Sequence, residues 1–234
     1  MKNPIIAALD VPDAESALKL AKAIAPAVGA FKIGKELFVS AGPDIVKRVR
    51  DTGASVFLDL KFHDIPNTVA KAVASATRLD VQMLTVHCCG GSTMLQEALK
   101  GATEAAEQTG NEPTLVLGVT VLTSMDESDL SEVGVGKAPP DQVIDLAKMA
   151  TGAGLKGLVC SPQEITALRE VLPPKVKLVT PGIRPAGSAT GDQKRVMTPA
   201  EAIEAGADWL VIGRPIYGAD HPREAAESIL EGLG

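Results

Sequence analysis

Eight short apolar runs, each followed by a helical pattern, recur along the chain at nearly even spacing. This rhythm constrains the fold more than any other feature. The candidate strands are residues 5–10, 30–34, 55–61, 83–88, 114–120, 157–161, 177–182 and 208–213. Several are near-continuous apolar runs, the pattern of parallel strands covered by helices. The segments between them carry helix-start signals. Ser161-Pro162-Gln163-Glu164 and Thr198-Pro199-Ala200-Glu201 read as capping boxes with proline at the first helical position. Asp13 can cap the first helix and Pro43 can open the second, while Gly29, Gly53, Gly154 and Gly206 end helices or precede strands. Eight βα units in 234 residues give roughly 29 residues each, which predicts an α/β chain folded as a single (β/α)8 TIM barrel over 1–234. No linker or charge block interrupts the pattern. A doubly wound sheet would usually show a glycine-rich turn after its first strand, but here that strand ends in Leu9-Asp10-Val11-Pro12.

Composition narrows the function classes. The net charge of −6 opposes nonspecific nucleic-acid binding, which needs a basic surface. A small anionic substrate stays compatible, because a local arginine cluster outweighs a mild global charge. The three cysteines, Cys88, Cys89 and Cys160, include no C-x-x-C pair and read as small hydrophobes in a reducing compartment. The chain reaches an apolar strand by Ile5 without the pattern of a signal peptide, and no run approaches the ~18 apolar residues of a membrane span. A cytoplasmic protein is expected, with no membrane partner.

In a barrel of this kind the active site lies at the C-terminal ends of the strands. Those ends carry Asp10, Lys32, Asp59 and Lys61, then Asp64 and His87, then Thr123 and Ser124. Beyond the seventh strand come Arg184 and Gln193, and Gly213-Arg214 closes the eighth. One charge at a strand end is usually just solvated; seven around one rim are not an accident of composition. The densest stretch is Asp59-Leu60-Lys61-Phe62-His63-Asp64, where two carboxylates bracket a lysine. Alternation along a strand points Asp59 and Lys61 the same way and Leu58 and Leu60 the other. Opposite charges held close keep the lysine an ammonium and the aspartates ionised, a pairing suited to carbanion chemistry.

A phosphate signal follows. Ile212-Gly213-Arg214-Pro215 joins a glycine that permits close backbone approach to an arginine fork that matches phosphate oxygens. The preceding loop, Pro181-Gly182-Ile183-Arg184-Pro185-Ala186-Gly187-Ser188, reads as a lid hinged at Gly182, Gly187 and Gly191. Loops after strands seven and eight form the usual phosphate site of such barrels. His63 reads as structural, His87 as a possible ligand contact, and the histidine spacing gives a metal site little support.

The segment from Phe57 to Thr68, Phe57-Leu58-Asp59-Leu60-Lys61-Phe62-His63-Asp64-Ile65-Pro66-Asn67-Thr68, resembles the signature of the orotidine 5′-monophosphate decarboxylase family in its bacterial form. The resemblance extends through Ala8-Leu9-Asp10, Lys32-Ile33-Gly34-Lys35-Glu36, Val119-Thr120-Val121-Leu122-Thr123-Ser124, Val179-Thr180-Pro181-Gly182-Ile183-Arg184-Pro185 and Val211-Ile212-Gly213-Arg214-Pro215. It implies cofactor-independent conversion of orotidine 5′-monophosphate to uridine 5′-monophosphate, the last step of de novo pyrimidine nucleotide synthesis. Under the resemblance, Lys61 donates the proton to C6 and Asp59 sits beside the substrate carboxylate. Lys32 bridges Asp59 and the ribose, and Asp10 holds a ribose hydroxyl. Thr123 and Ser124 read the pyrimidine, Gln193 spans base and phosphate, and Arg184, Gly213 and Arg214 bind phosphate. Asp64, Ile65 and Thr68 enter the site of the partner subunit of a homodimer.

Three rivals share parts of this pattern. A Mg²⁺-dependent sugar-phosphate decarboxylase or synthase has the same D-x-K-x-x-D core but a carboxylate on strand two, where Lys32 stands here. A Schiff-base aldolase needs a neutral amine, which the carboxylates flanking Lys61 oppose. A non-catalytic phosphate-binding barrel would leave the charge cluster without use.

Overall fold

The structure, a computed structural model, describes residues 2–185 and 196–233. The chain runs β1 (Ile5–Ala8), α1 (Ala14–Ile24), β2 (Ala30–Gly34), α2 (Lys35–Ala41), α3 (Asp44–Arg50), β3 (Ser55–Phe62), α4 (Pro66–Arg78), β4 (Met83–His87), α5 (Gly91–Thr109) and β5 (Leu115–Val119). It continues with α6 (Glu127–Glu132), α7 (Pro139–Gly152), β6 (Gly157–Val159), α8 (Ile165–Val171), β7 (Lys177–Thr180), α9 (Pro199–Glu204), β8 (Trp209–Ile212), α10 (Arg214–Tyr217) and α11 (Pro222–Glu231). The eight strands pair in sequence order, all parallel, and β8 closes onto β1. This is the (β/α)8 barrel that the periodicity predicts.

Closure separates two apolar layers. Ile6, Ala8, Ala30, Phe57, Met83, Leu117, Val179 and Val211 fill the inside of the barrel. Residues such as Ile5, Ala7, Phe31, Ile33, Leu58 and Leu84 belong to the larger core beneath the helices. The alternation is the period-2 strand pattern turned into an inside and an outside. A strand buried on both faces has no polar side to show, which explains the near-continuous apolar runs.

The start signals act where the sequence places them. Asp13 accepts a 2.8 Å hydrogen bond from the Ser16 amide. Thr198 and Glu201 form a reciprocal capping box at α9. The Glu164 carboxylate accepts from the Ser161 amide at 2.8 Å, at the short turn that feeds α8. The second helical segment is two helices: α2 begins directly after β2, and Gly42, at φ 71°, breaks it before Pro43 opens α3. Most strands are shorter than predicted at their C-terminal ends. Leu9, Cys88 and Cys160 extend the apolar pattern and are buried, but they lie beyond the strand ends. Among the described residues no helix is long and apolar enough to cross a membrane.

Helices α4 and α5 pack closely at Gly101. A Cβ placed on Gly101 would lie 2.4 Å from the Ala70 carbonyl oxygen, a backbone atom that cannot swing aside. Gly101→Ala is therefore expected to destabilise the fold by about 1–3 kcal/mol through overpacking. Gly152, in the last turn of α7, has nothing within 4 Å of such a Cβ. Gly152→Ala should be neutral or gain up to about 1 kcal/mol. Urea unfolding of both variants checks the contrast; equal stabilities would show that the helix contact relaxes without cost.

Candidate active site

The C-terminal ends of the strands surround a cavity of about 470 Å³. Its floor is the inner apolar layer, represented by Ala8, Phe57 and Val211. Asp10, Lys32, Asp59, Lys61, Thr123, Arg184, Gly213 and Arg214 all line it. Eight residues singled out from sequence thus meet in one space, although they come from six strands and their loops.

On one side the charges form an alternating chain. Lys32 is 9% exposed and its Nζ donates to Asp10 Oδ1 at 2.7 Å. The same Nζ lies 4.0 Å from Asp59 Oδ2. Lys61 Nζ donates to both Asp59 oxygens at 2.8 Å. The order in space is Asp10, Lys32, Asp59, Lys61. Burial resists ionisation of Asp59, but the Lys61 and Lys32 ammoniums, with hydrogen bonds from Lys61 and Thr85, hold its carboxyl below the usual carboxylate range.

Simple strand alternation does not deliver Lys61 to this place. Leu58 pairs with Leu84 and Phe62 with Val86, so four steps of β3 face two steps of β4. Lys61 adopts φ 53°, the left-handed region that side chains seldom occupy. Its amide donates to the Thr85 hydroxyl at 2.9 Å, and that hydroxyl reaches Asp59 Oδ1 at 2.9 Å. The sequence reading placed Asp59 and Lys61 together correctly but did not anticipate the bulge.

The opposite side suits an anion. Arg184 follows β7, is 8% exposed, and donates from Nη1 to the Ile183 carbonyl at 2.8 Å. Burial and then the neighbouring Arg214 lower the pKa of its guanidinium. Two guanidinium groups thus border one space. Gly213 brings backbone close, since a Cβ there would stand 3.3 Å from the Tyr217 ring. Between the two charged ends, Val119, Val121, Leu122, Val159, Cys160 and Pro181 supply an apolar wall. Burial pushes the Cys160 thiol up to about 12, which keeps it neutral in this wall.

Four sequence-predicted residues do not line the cavity. Ser124 is exposed in the turn after β5. Asp64, Ile65 and Thr68 are exposed where β3 passes into α4, and Ile65 is 67% exposed. Gln193, with Gly187 and Gly191, lies outside the described residues. The sequence reading missed Thr85, Tyr217 and the apolar wall. Inward parity on β5 and β6 was the available signal for the wall.

His63 and His87 stand beside the rim with ring centroids 5.7 Å apart, and Cys89 Sγ is 3.9 Å from both His63 ring nitrogens. Among the described residues no three His, Cys, Asp or Glu side chains converge as a metal-holding set.

Residues 3–229 match the family model described as Orotidine 5'-phosphate decarboxylase / HUMPS family. A protein named orotidine 5'-phosphate decarboxylase from Opitutus terrae is 53% identical across 100% of this chain and 99% of its own length. One of the same name from Mannheimia succiniciproducens is 51% identical across 98% of this chain and 96% of its own. The crystal structure of orotidine 5'-phosphate decarboxylase from Lactobacillus acidophilus superposes with a TM-score of 0.88 at 38% identity, covering 99% of each chain.

The rim gives a pH prediction. Burial, then His63, Lys61 and Lys35, push His87 from 6.5 down to about 4, with Asp59 opposing. The unfolded chain therefore binds this proton at a pH where the folded chain refuses it. Stability tied to His87 is complete above about 6.5 and is lost as pH falls toward about 4. The stability difference between wild type and His87→Gln should change across that window and stay flat above it. Urea midpoints at fixed protein concentration from pH 4.5 to 7.5 measure this; a constant difference would refute it.

Proposed function

The chain belongs to the orotidine 5'-phosphate decarboxylase / HUMPS family, and from that premise we propose how its residues decarboxylate orotidine 5'-monophosphate to uridine 5'-monophosphate. The enzyme is a carboxy-lyase of pyrimidine nucleotide synthesis. The observation that carries the mechanism is the Asp59–Lys61 contact, with Lys61 Nζ at 2.8 Å from both carboxylate oxygens inside the cavity.

The nucleotide phosphate binds between Arg184 and Arg214, with Gly213 allowing close backbone approach. The pyrimidine lies along the apolar wall, read at its polar edge by Thr123. Asp10 and Lys32 hold the ribose hydroxyls. This places the substrate carboxylate against Asp59 and C6 beside Lys61. The C6–carboxylate bond breaks heterolytically, CO2 leaves, and the electron pair stays on C6. Lys61 Nζ stabilises that pair and then transfers a proton to it, and solvent reprotonates the amine. Repulsion from Asp59 disfavours the bound carboxylate but not the neutral CO2.

Magnitudes show that this pair does not act alone. Opposite charges about 3 Å apart interact by roughly 6 kcal/mol at an effective dielectric near 20. Enzymes lower barriers by ~8–23 kcal/mol. Binding energy at the remote phosphate supplies part of the difference by holding the base against the fixed charges. A Schiff-base role for Lys61 is disfavoured by its double contact with Asp59.

No metal or organic cofactor enters this mechanism. The sugar-phosphate branch of the barrel group uses a carboxylate with Mg²⁺ on strand two, where Lys32 here pairs with Asp10. Decarboxylation should persist after exhaustive EDTA treatment. Activity lost to EDTA and restored by Mg²⁺ would move the assignment to that branch.

We read 1–234 as one cytoplasmic catalytic barrel that works as a homodimer with shared sites. Support comes from the rim: Asp64, Ile65 and Thr68 are exposed, do not line their own cavity, and leave an isoleucine 67% exposed. Lys61→Ala and Asp64→Ala homodimers should each be severely impaired. Mixed dimers formed by reversible dissociation collect both lesions in one site and leave the other with an intact Lys61 and Asp64. Activity should return to about one working site per mixed dimer, as two-fold symmetry dictates. Mixed dimers as inactive as their parents would place Asp64 in its own subunit's site.

A further inference from the structure

Thr85 is 1% exposed and lies on the inward face of β4, two residues beyond Met83 of the inner apolar layer. The bulge in β3 opposite it has a cost. Extra residues leave the ladder, and a backbone amide turned into a buried space needs an acceptor. Lys61 is that residue, and the Thr85 hydroxyl accepts from its amide at 2.9 Å. Having accepted there, the hydroxyl has one proton to give. Asp59 is ionised and can only accept, so the 2.9 Å contact from Thr85 Oγ1 to Asp59 Oδ1 has a fixed direction.

The bonds form a closed circuit: Lys61 amide to Thr85, Thr85 to Asp59, and Asp59 back to Lys61 through its Nζ. One hydroxyl thereby governs both ends of the lysine. It holds the backbone at φ 53°, and it turns the carboxylate that receives the side chain. The branched Cβ of threonine restricts the rotamer that aims this hydroxyl.

We propose that Thr85 is a positioning residue for the decarboxylation, fixing the relative placement of the Asp59 carboxylate and the Lys61 ammonium. It touches no reacting atom and acts through those two groups. The inference rests on their assignment to the reacting centre. A neutral hydroxyl beneath the charged layer does this without adding a charge to balance.

The test separates hydroxyl from shape. Thr85→Val keeps the branched shape and removes the hydroxyl; Thr85→Ser keeps the hydroxyl. Misplacing a catalytic group by about 1 Å costs on the order of 100-fold, so Thr85→Val should lower kcat about 100-fold while KM and the Kd for uridine 5'-monophosphate change less than about threefold. Thr85→Ser should recover kcat to within about tenfold of wild type. Should Thr85→Val fail to fold, Thr85→Ala replaces it with the same expected loss. A hydroxyl-free variant with kcat within about twofold of wild type, a serine variant no better than it, or a loss carried by KM alone overturns the inference. Lys61→Ala and Asp59→Asn are measured alongside. If they stay active, the assignment of the reacting centre itself fails; if they are dead while Thr85→Val is normal, only the role of Thr85 fails.

Discussion

The rim depends on how Asp59 is kept charged. Its side chain is 13% exposed, and withdrawing a carboxylate from water costs several kcal/mol even after relaxation. A single ion pair at about 3 Å returns roughly 6 kcal/mol at a dielectric near 20, of the same order as that cost. Lys61 and Lys32, with the hydrogen bond from Thr85, tip the balance and hold the carboxyl below its usual range. The dependence runs both ways. Without Asp59, Lys32 and Lys61 would face each other across the same space, Lys32 still tied to Asp10 and Lys61 without its partner. The four charges are therefore one unit, and the effects of removing two of them will not add.

The barrel makes that unit possible. Closure turns one face of every strand inward, so residues far apart in sequence project into a single space above an apolar floor. Gly34 pairs with Asp59, and Lys32 pairs with Phe57, which steps the two positive groups to different heights along the axis. The apolar wall between the two charged ends of the cavity adds no charge of its own. It lowers the local dielectric and strengthens the field that the rim presents to a bound base.

Much of this was legible in the sequence, for a physical reason: periodicity reports burial, and burial fixes the strand count and order. Strand ends were less legible because burial outlasts pairing, as Leu9, Cys88 and Cys160 show. The start of α2 was hidden because β2 passes straight into it at Lys35, with no capping side chain to mark the boundary. The β3 bulge had no sequence signal, since neither glycine nor proline marks it. Thr85 was equally silent, because a threonine within a strand is ordinary until its hydroxyl is seen between two partners. Asp64, Ile65 and Thr68 stand apart: only Asp64 was marked by its charge at a strand end, and the resemblance alone gave the three a task.

The left-handed backbone at Lys61 sets stability and chemistry against each other at one residue. An L-residue there carries about 1–2 kcal/mol of conformational cost that glycine would escape. Glycine would relieve the strain and erase the amine. A scaffold engineer who ranks positions by backbone comfort alone would mark residue 61 for replacement, when it is the position the barrel can least surrender.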